Sequence, residues 1–189
     1  MSGRVKVTLD KVDGIFKALA LLEENDVLVG VPAEKVERKG DGDDEPINNA
    51  GLAYLHEHGV PEKNIPARPF LYPGVDDVRE KVVQVLRKGA ESALSGNAAA
   101  GKSLNAAGLL AVNAVRARLI SGEGFAELAD STLAASAKRG RKGAAEALAA
   151  RREGRKPEGE TARPLFDTGQ MARSITYVVK PKGENNGAS

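Results

Sequence analysis

The sequence predicts an α+β fold: a small antiparallel or mixed sheet of about three strands packed with four to five helices, with a long flexible insertion before the C-terminal strand. Three observations carry this. Short segments near both ends alternate apolar and polar residues, the period of a half-buried strand. Longer segments between them repeat their apolar residues every three to four positions, the period of an amphipathic helix. Before the last alternating segment lies a stretch rich in charge and nearly devoid of large apolar residues, which has too little to bury to fold on its own.

The elements follow in chain order. Val5, Val7 and Leu9 alternate with Lys6 and Thr8 as a strand, and Asp10 follows as a helix N-cap. Val12, Ile15, Phe16, Leu19 and Leu22 then keep a helical period, ending near Asn25. Asp26 to Val31 reads as a second strand, with Val27, Val29 and Val31 on one face and Pro32 closing it. Glu34 to Glu45 is too polar and too glycine-rich to pack and reads as a mobile loop. Ile47 to His58 forms a short helix capped by Asn48 or Asn49, with Leu52 and Leu55 as its buried stripe and Gly59 just past its end.

Pro61, Pro66 and Pro69 hold Val60 to Phe70 extended, and Pro73 opens a further helix. Its inward stripe is Val75, Val78, Val82, Val85 and Leu86, and it frays at Gly89 or Ser95. From Ser103 to Ile120 a longer helix turns Leu104, Ala107, Ala111, Val115 and Leu119 inward and Arg116 and Arg118 outward, until Gly122 and Gly124 stop it. Asp167 caps a last short helix holding Met171 and Ile175, and Ile175, Tyr177 and Val179 alternate as the final strand. The resulting division is a core from 1 to 131, a basic flexible insertion from 132 to 162, a helix and strand from 163 to 180 that complete the core, and a disordered tail from 181 to 189. No internal repeat is present.

Composition narrows the function classes. At 189 residues the chain has one domain's length, with 41% apolar, 29% charged and 4% aromatic residues. The absence of Trp leaves a core of Val, Leu, Ile and Ala, whereas small-molecule pockets are usually richer in aromatics. The absence of cysteine excludes a disulfide scaffold, a thiolate metal site and a Cys nucleophile. No apolar run approaches the ~20 residues of a membrane span, and Met1 to Lys11 lacks the apolar centre of a signal peptide, so a soluble protein made in the cytoplasm, with no membrane partner, is expected. The net charge is only +2, but it is unevenly placed. Between Thr132 and Ala162 stand Lys138, Arg139, Arg141, Lys142, Arg151, Arg152, Arg155 and Lys156 against Glu146, Glu153, Glu158 and Glu160, which leaves the rest of the chain slightly acidic.

Several motifs suggest chemistry. Gly96 to Ser103 satisfies the P-loop pattern of Gly, four residues, Gly-Lys-Ser, but a phosphate cradle needs a buried strand leading into the loop, and the segment before it is helical. A Gly/Ala-rich turn between helices is the better reading. His56 and His58 stand two apart on a helix and point in opposing directions, so they cannot share a metal ion. Neither Ser103 nor Ser174 sits in a nucleophile elbow, and no carboxylate lies in an apolar stretch that would raise its pKa. The expectation is a protein that is not an enzyme, with no catalytic, cofactor or metal residues. The dense run Lys138, Arg139, Arg141 and Lys142 suits phosphate backbones at low salt, or is a solvated excursion; without interleaved aromatics it does not suit base stacking.

Two stretches are more specific. Ile47-Asn-Asn-Ala-Gly-Leu-Ala-Tyr54-Leu-His-Glu57-His58-Gly59, followed by Ile65-Pro-Ala-Arg68-Pro-Phe70-Leu71, resembles a signature of tail-completion (neck, head-tail joining) proteins of tailed bacteriophages. Pro164-Leu-Phe-Asp167-Thr168-Gly-Gln-Met171-Ala-Arg173-Ser-Ile175 is similar to the same family's C-terminal element, with Met171 in place of its usual Leu. The resemblance spans Asp26 to Lys180 and extends to related virion morphogenesis proteins. It implies a structural virion protein of tail terminator-like type, localised to the virion and forming a ring, most simply a hexamer, at the head-tail junction. Its partners would be connector or adaptor proteins and tail tube or terminator proteins, with packaged DNA passing close by.

On that reading Tyr54, Glu57, His58, Ile65, Arg68, Phe70, Asp167, Thr168 and Arg173 are candidate interface residues, and Lys138, Arg139, Arg141 and Lys142 candidate contacts to channel DNA or a partner. Two alternatives stay open. Phe70 and Leu71 fit equally as plugs of the subunit's own core, and the basic segment fits a nucleic-acid-binding accessory protein.

Overall fold

A computed structural model describes residues 12–33, 47–96, 100–141, 143–155, 165 and 169–183. The fold is α+β. In chain order the described elements are α1 (Val12–Glu24), β1 (Asn25–Gly30), α2 (Asn49–His58), a 3-10 turn (Pro61–Lys63), α3 (Leu71–Asp76), α4 (Arg79–Leu94), α5 (Ala100–Ser121), α6 (Asp130–Lys138), α7 (Ala144–Arg152), α8 (Gln170–Ser174) and β2 (Thr176–Pro181). No helix among the described residues is long and apolar enough to cross a membrane. The chain divides into two compact units: Met1–Val29 with Val78–Ala111 and Tyr177–Ser189, and Gly30–Asp77 with Val112–Thr176.

In the first unit β1 pairs with β2. The Lys182 N–H, just past the end of β2, donates to the Glu24 carbonyl just before β1 at 2.7 Å, so the strands are antiparallel and Val27 lies opposite Val179. The expected alternation holds: Val27, Val29, Tyr177 and Val179 are half-buried while Leu28 and Val178 are exposed. Tyr177 lies against α5 where Gly108 leaves room; a Cβ there would sit 2.2 Å from the Tyr177 ring. The Tyr177 hydroxyl donates to Asn105 Oδ1 at 3.0 Å. Helices α1 and α4 pack together, and Gly89 of α4 comes against Ser103 of α5. The α5 stripe is buried as the period predicts, including Leu104, Ala107 and Ala111 here and Val115 and Leu119 in the second unit.

The second unit has its core at Phe70, Val115, Leu119, Leu133 and Ile175, all no more than 2% exposed. Helix α2 packs on α8, and α6 packs on α7 as a hairpin. Asn48 is the N-cap of α2, its side chain accepting from the Gly51 N–H at 2.7 Å, and Gly59 closes the helix at φ 75°. A Cβ on Gly59 would lie 2.6 Å from the Ala67 nitrogen, so both its conformation and its closeness to the loop require glycine.

Several expectations are corrected. The described sheet has two strands; the further strand expected at Val5–Leu9 lies outside the described residues, as do the loop from 34 to 45 and Asp167 and Thr168, and none of these is contradicted. The single helix expected from Pro73 to Ser95 is two, α3 and α4, because Val78 leaves helical geometry at φ −117°, ψ 9°. Phe16, placed on the buried face of α1, is 67% exposed. In α2 the buried residues are Asn49 and Glu57, while Leu52 and Leu55 are only half-buried. The N-cap of α8 is Gly169, not Asp167.

The insertion before the last strand is present, and within it Asp130–Lys138 and Ala144–Arg152 form α6 and α7. The residues that make this possible are small: Ala144, Ala147 and Ala150 form a buried stripe that lets the helices approach closely, with Leu133 as the large anchor. Residues 156–164 lie outside the described set.

Candidate functional site

The first resembling signature folds into one braced structure in the second unit. Its centre is Glu57, on the last turn of α2 and 7% exposed. Glu57 Oε2 accepts the N–H groups of Phe70 and Leu71 at 2.8 and 2.9 Å, and Oε1 accepts that of Tyr72 at 3.1 Å. These are the donors that open α3, which has no cap from its own N-cap side chain. Pro73 has no N–H, and the Gly74 N–H already bonds the Phe70 carbonyl at 3.1 Å, so the first turn of α3 is fully satisfied.

Arg68 works in the opposite sense, saturating carbonyls. Its Nε donates to Ala126 O at 2.8 Å and its Nη2 to Glu127 O at 3.1 Å, while its own N–H donates to His56 O at 2.7 Å. Residues 125–129 have no regular secondary structure, so these carbonyls have no ladder partner. Burial of the guanidinium, which is 6% exposed as a residue, pushes its pKa below the ordinary arginine value. Phe70, whose N–H bonds Glu57, is 1% exposed.

Glu57, Arg68 and Phe70 are therefore buried within the chain's own fold rather than presented on its surface, and burial favours the reading of Phe70 as a core plug. A lysine at 68 reaches one carbonyl where arginine's fork reaches two, so Arg68→Lys is expected to lower stability by about 1 to 2 kcal/mol. The check is the urea midpoint at unchanged slope.

The remaining candidates divide. Tyr54 is 65% exposed and stacks on His58 with ring centroids 4.3 Å apart, and His58 Nδ1 lies 3.1 Å from the Tyr54 carbonyl. Ile65 is half-buried and pairs with Val60 in a single antiparallel bridge. Arg173 is exposed on α8. Lys138 and Arg139 are exposed and Arg141 half-buried at the turn between α6 and α7; the side chain of Lys142 lies outside the described residues.

Sequence reasoning missed Tyr72, which is 72% exposed and lies with Tyr54 and His58 along a hollow of about 390 Å³. It also placed Arg116 and Arg118 outward, where no periodicity can show their partners. Arg116 donates to the carbonyls of Ala172 and Ile175 at 3.1 and 2.7 Å, closing the end of α8, and Arg118 pairs with Asp77 at 2.8 Å. A larger groove of about 870 Å³ runs between His56, Ile65 and Pro66 on one side and Leu128 and Thr132 on the other.

In the phosphate-loop pattern Gly96 follows the end of α4 and Ala100 to Ser103 already form the first turn of α5, while residues 97–99 lie outside the described residues. The Ser103 hydroxyl donates to Ala100 O at 2.7 Å and is buried against Gly89, while Lys102 is exposed. Among the described residues no group of three His, Asp or Glu side chains is placed to hold a metal ion.

Comparison with known proteins adds little. No protein-family model and no solved structure matches the chain. An uncharacterized protein of Methanocaldococcus jannaschii is 32% identical over 75 residues, which are 40% of this chain. The chain spans about half, 51%, of the length of that relative, whose description carries no activity.

Proposed function

We propose that the protein is a structural virion component of a tailed bacteriophage, assembling as a ring, most simply a hexamer, at the head-tail junction. The observation that supports this reading is that the family-like signature behaves as one constructed unit: Glu57 and Arg68 brace the Ile65 to Phe70 loop and α3, and the aromatics Tyr54 and Tyr72 are left exposed beside it. A ring subunit needs two different patches whose geometry is fixed before assembly, because closure depends on a repeated angle between neighbours. Loops braced by buried charges lose little freedom on docking. Exposed tyrosines are the side chains that most often anchor such contacts.

On this reading the protein acts by shape. It completes the tail end, offers a surface to the connector, and surrounds the path of the DNA. The test is assembly of the purified protein, alone and with connector and tube proteins, followed by analytical ultracentrifugation and electron microscopy. Rings are expected from the wild type, and Tyr54→Asp with Tyr72→Asp is expected to give folded monomers. A protein that stays monomeric with every partner and is missing from virions and assembly intermediates overturns the proposal.

A further inference from the structure

The α6–α7 hairpin sorts its charges in a way the sequence does not show. At its base Arg151, whose side chain is 17% exposed, pairs with Asp130 at 2.8 Å and Glu127 at 3.0 Å and also donates to the Leu128 carbonyl. Arg155 pairs with Glu153 at the same end. Of the two, Arg151 holds the hairpin closed, whereas Arg155 pairs within its own turn. At the tip, Lys138 ends α6, Arg139 and Arg141 follow, and the sequence adds Lys142, with Gly140 and Gly143 turning the backbone at φ 75° and 85°. Glu146, in the first turn of α7, is the hairpin's acid at that end.

Distance keeps the two ends apart electrostatically. The nine residues of α6 span about 13 Å at 1.5 Å per residue, beyond the ~8 Å screening length at physiological ionic strength. The base carboxylates therefore do not cancel the tip. One or two cations after a helix C-terminus are accounted for by the helix dipole alone. Lys138, Arg139 and Arg141 within four positions, followed in the sequence by Lys142, exceed that need.

We propose that this tip is a binding site for the phosphate backbone of duplex DNA, independent of sequence. Residues 130–155 contain no aromatic side chain, so there is no platform for stacking the bases of a single strand. The turn has no large apolar residue to enter a bilayer. The small side chains around Lys138 and Arg139 let phosphates approach closely, and the arginine fork matches phosphate oxygens. The proposal does not rest on the virion role and stands or falls separately from ring formation.

The test is fluorescence anisotropy of the full chain with a short labelled duplex of random sequence. Engagement of two or three phosphates by the tip predicts roughly tenfold to fortyfold weaker binding between about 50 and about 200 mM salt. Lys138→Gln with Arg139→Gln is expected to weaken low-salt binding about tenfold and to reduce the logarithmic salt slope by about 2. Arg152→Gln, which removes an exposed charge from the base, is expected to leave both unchanged, with circular dichroism confirming that each variant is folded. Absence of salt-dependent binding by the wild type overturns the proposal. So does equal binding by the double variant, or tighter binding to single strands or to phosphatidylserine vesicles than to duplex.

Discussion

Glu57→Ala is expected to lower stability by about 3 to 5 kcal/mol. The carboxylate accepts three backbone N–H groups at 2.8 to 3.1 Å, and bonds to a charged acceptor contribute about 1.5 to 3 kcal/mol each, though not additively. Alanine leaves those donors without a partner, and the Phe70 N–H is buried, so water does not replace what is lost. A short helix of six residues has little propensity to hold itself together once its first turn is uncapped. Glu57→Gln separates charge from shape. Its amide oxygen can serve the Phe70 and Leu71 donors while its NH2 group faces the Tyr72 N–H, so about half the loss is expected.

The site-specific readout is hydrogen exchange at Phe70, Leu71 and Tyr72, which should lose protection in both variants and more in alanine. Unchanged protection of these amides would show that the α3 start is held by packing of Phe70 instead.

The contrast between Glu57 and the α5 stripe shows what was legible in advance. Leu104, Ala107, Ala111, Val115 and Leu119 are buried as their period requires, because that signal is local and repeats. Asn48 and Gly59 were legible for the same reason: caps act within one turn. The bracing residues act across the chain. Arg68 reaches carbonyls 58 and 59 residues away and Arg116 reaches those 56 and 59 away, and no pattern of one dimension encodes such partners. A charged residue in a loop therefore read as surface, when in a core with few aromatics it supplies the polar saturation that irregular segments need.

The helices of the α6–α7 hairpin were hidden for a different reason. Its signal was present in Ala144, Ala147 and Ala150, three apart, but a search for large apolar residues passes over a stripe of methyl groups.

The same attention to small residues gives the second large prediction, at Gly89. In an exposed helix, Gly to Ala stabilises by about 1 kcal/mol, and Gly14 of α1, with nothing within 4 Å of its missing Cβ, should gain about that much as alanine. Gly89→Ala is expected to do the reverse and lower stability by about 2 to 4 kcal/mol, because overpacking outweighs propensity. The added carbon would lie 2.1 Å from Ser103 Oγ and 2.4 Å from Ser103 Cβ; the hydroxyl can rotate about χ1, but the Cβ moves only if α5 shifts against α4. Removing only the hydroxyl, with Ser103→Ala, should not rescue it. Ser103→Gly should, since it exchanges which helix carries the carbon, and the double variant is expected to return to within about 1 kcal/mol of wild type. This cycle also bears on the phosphate-loop pattern that Ser103 completes. Rescue by glycine, measured by thermal unfolding, assigns the Ser103 side chain to helix packing.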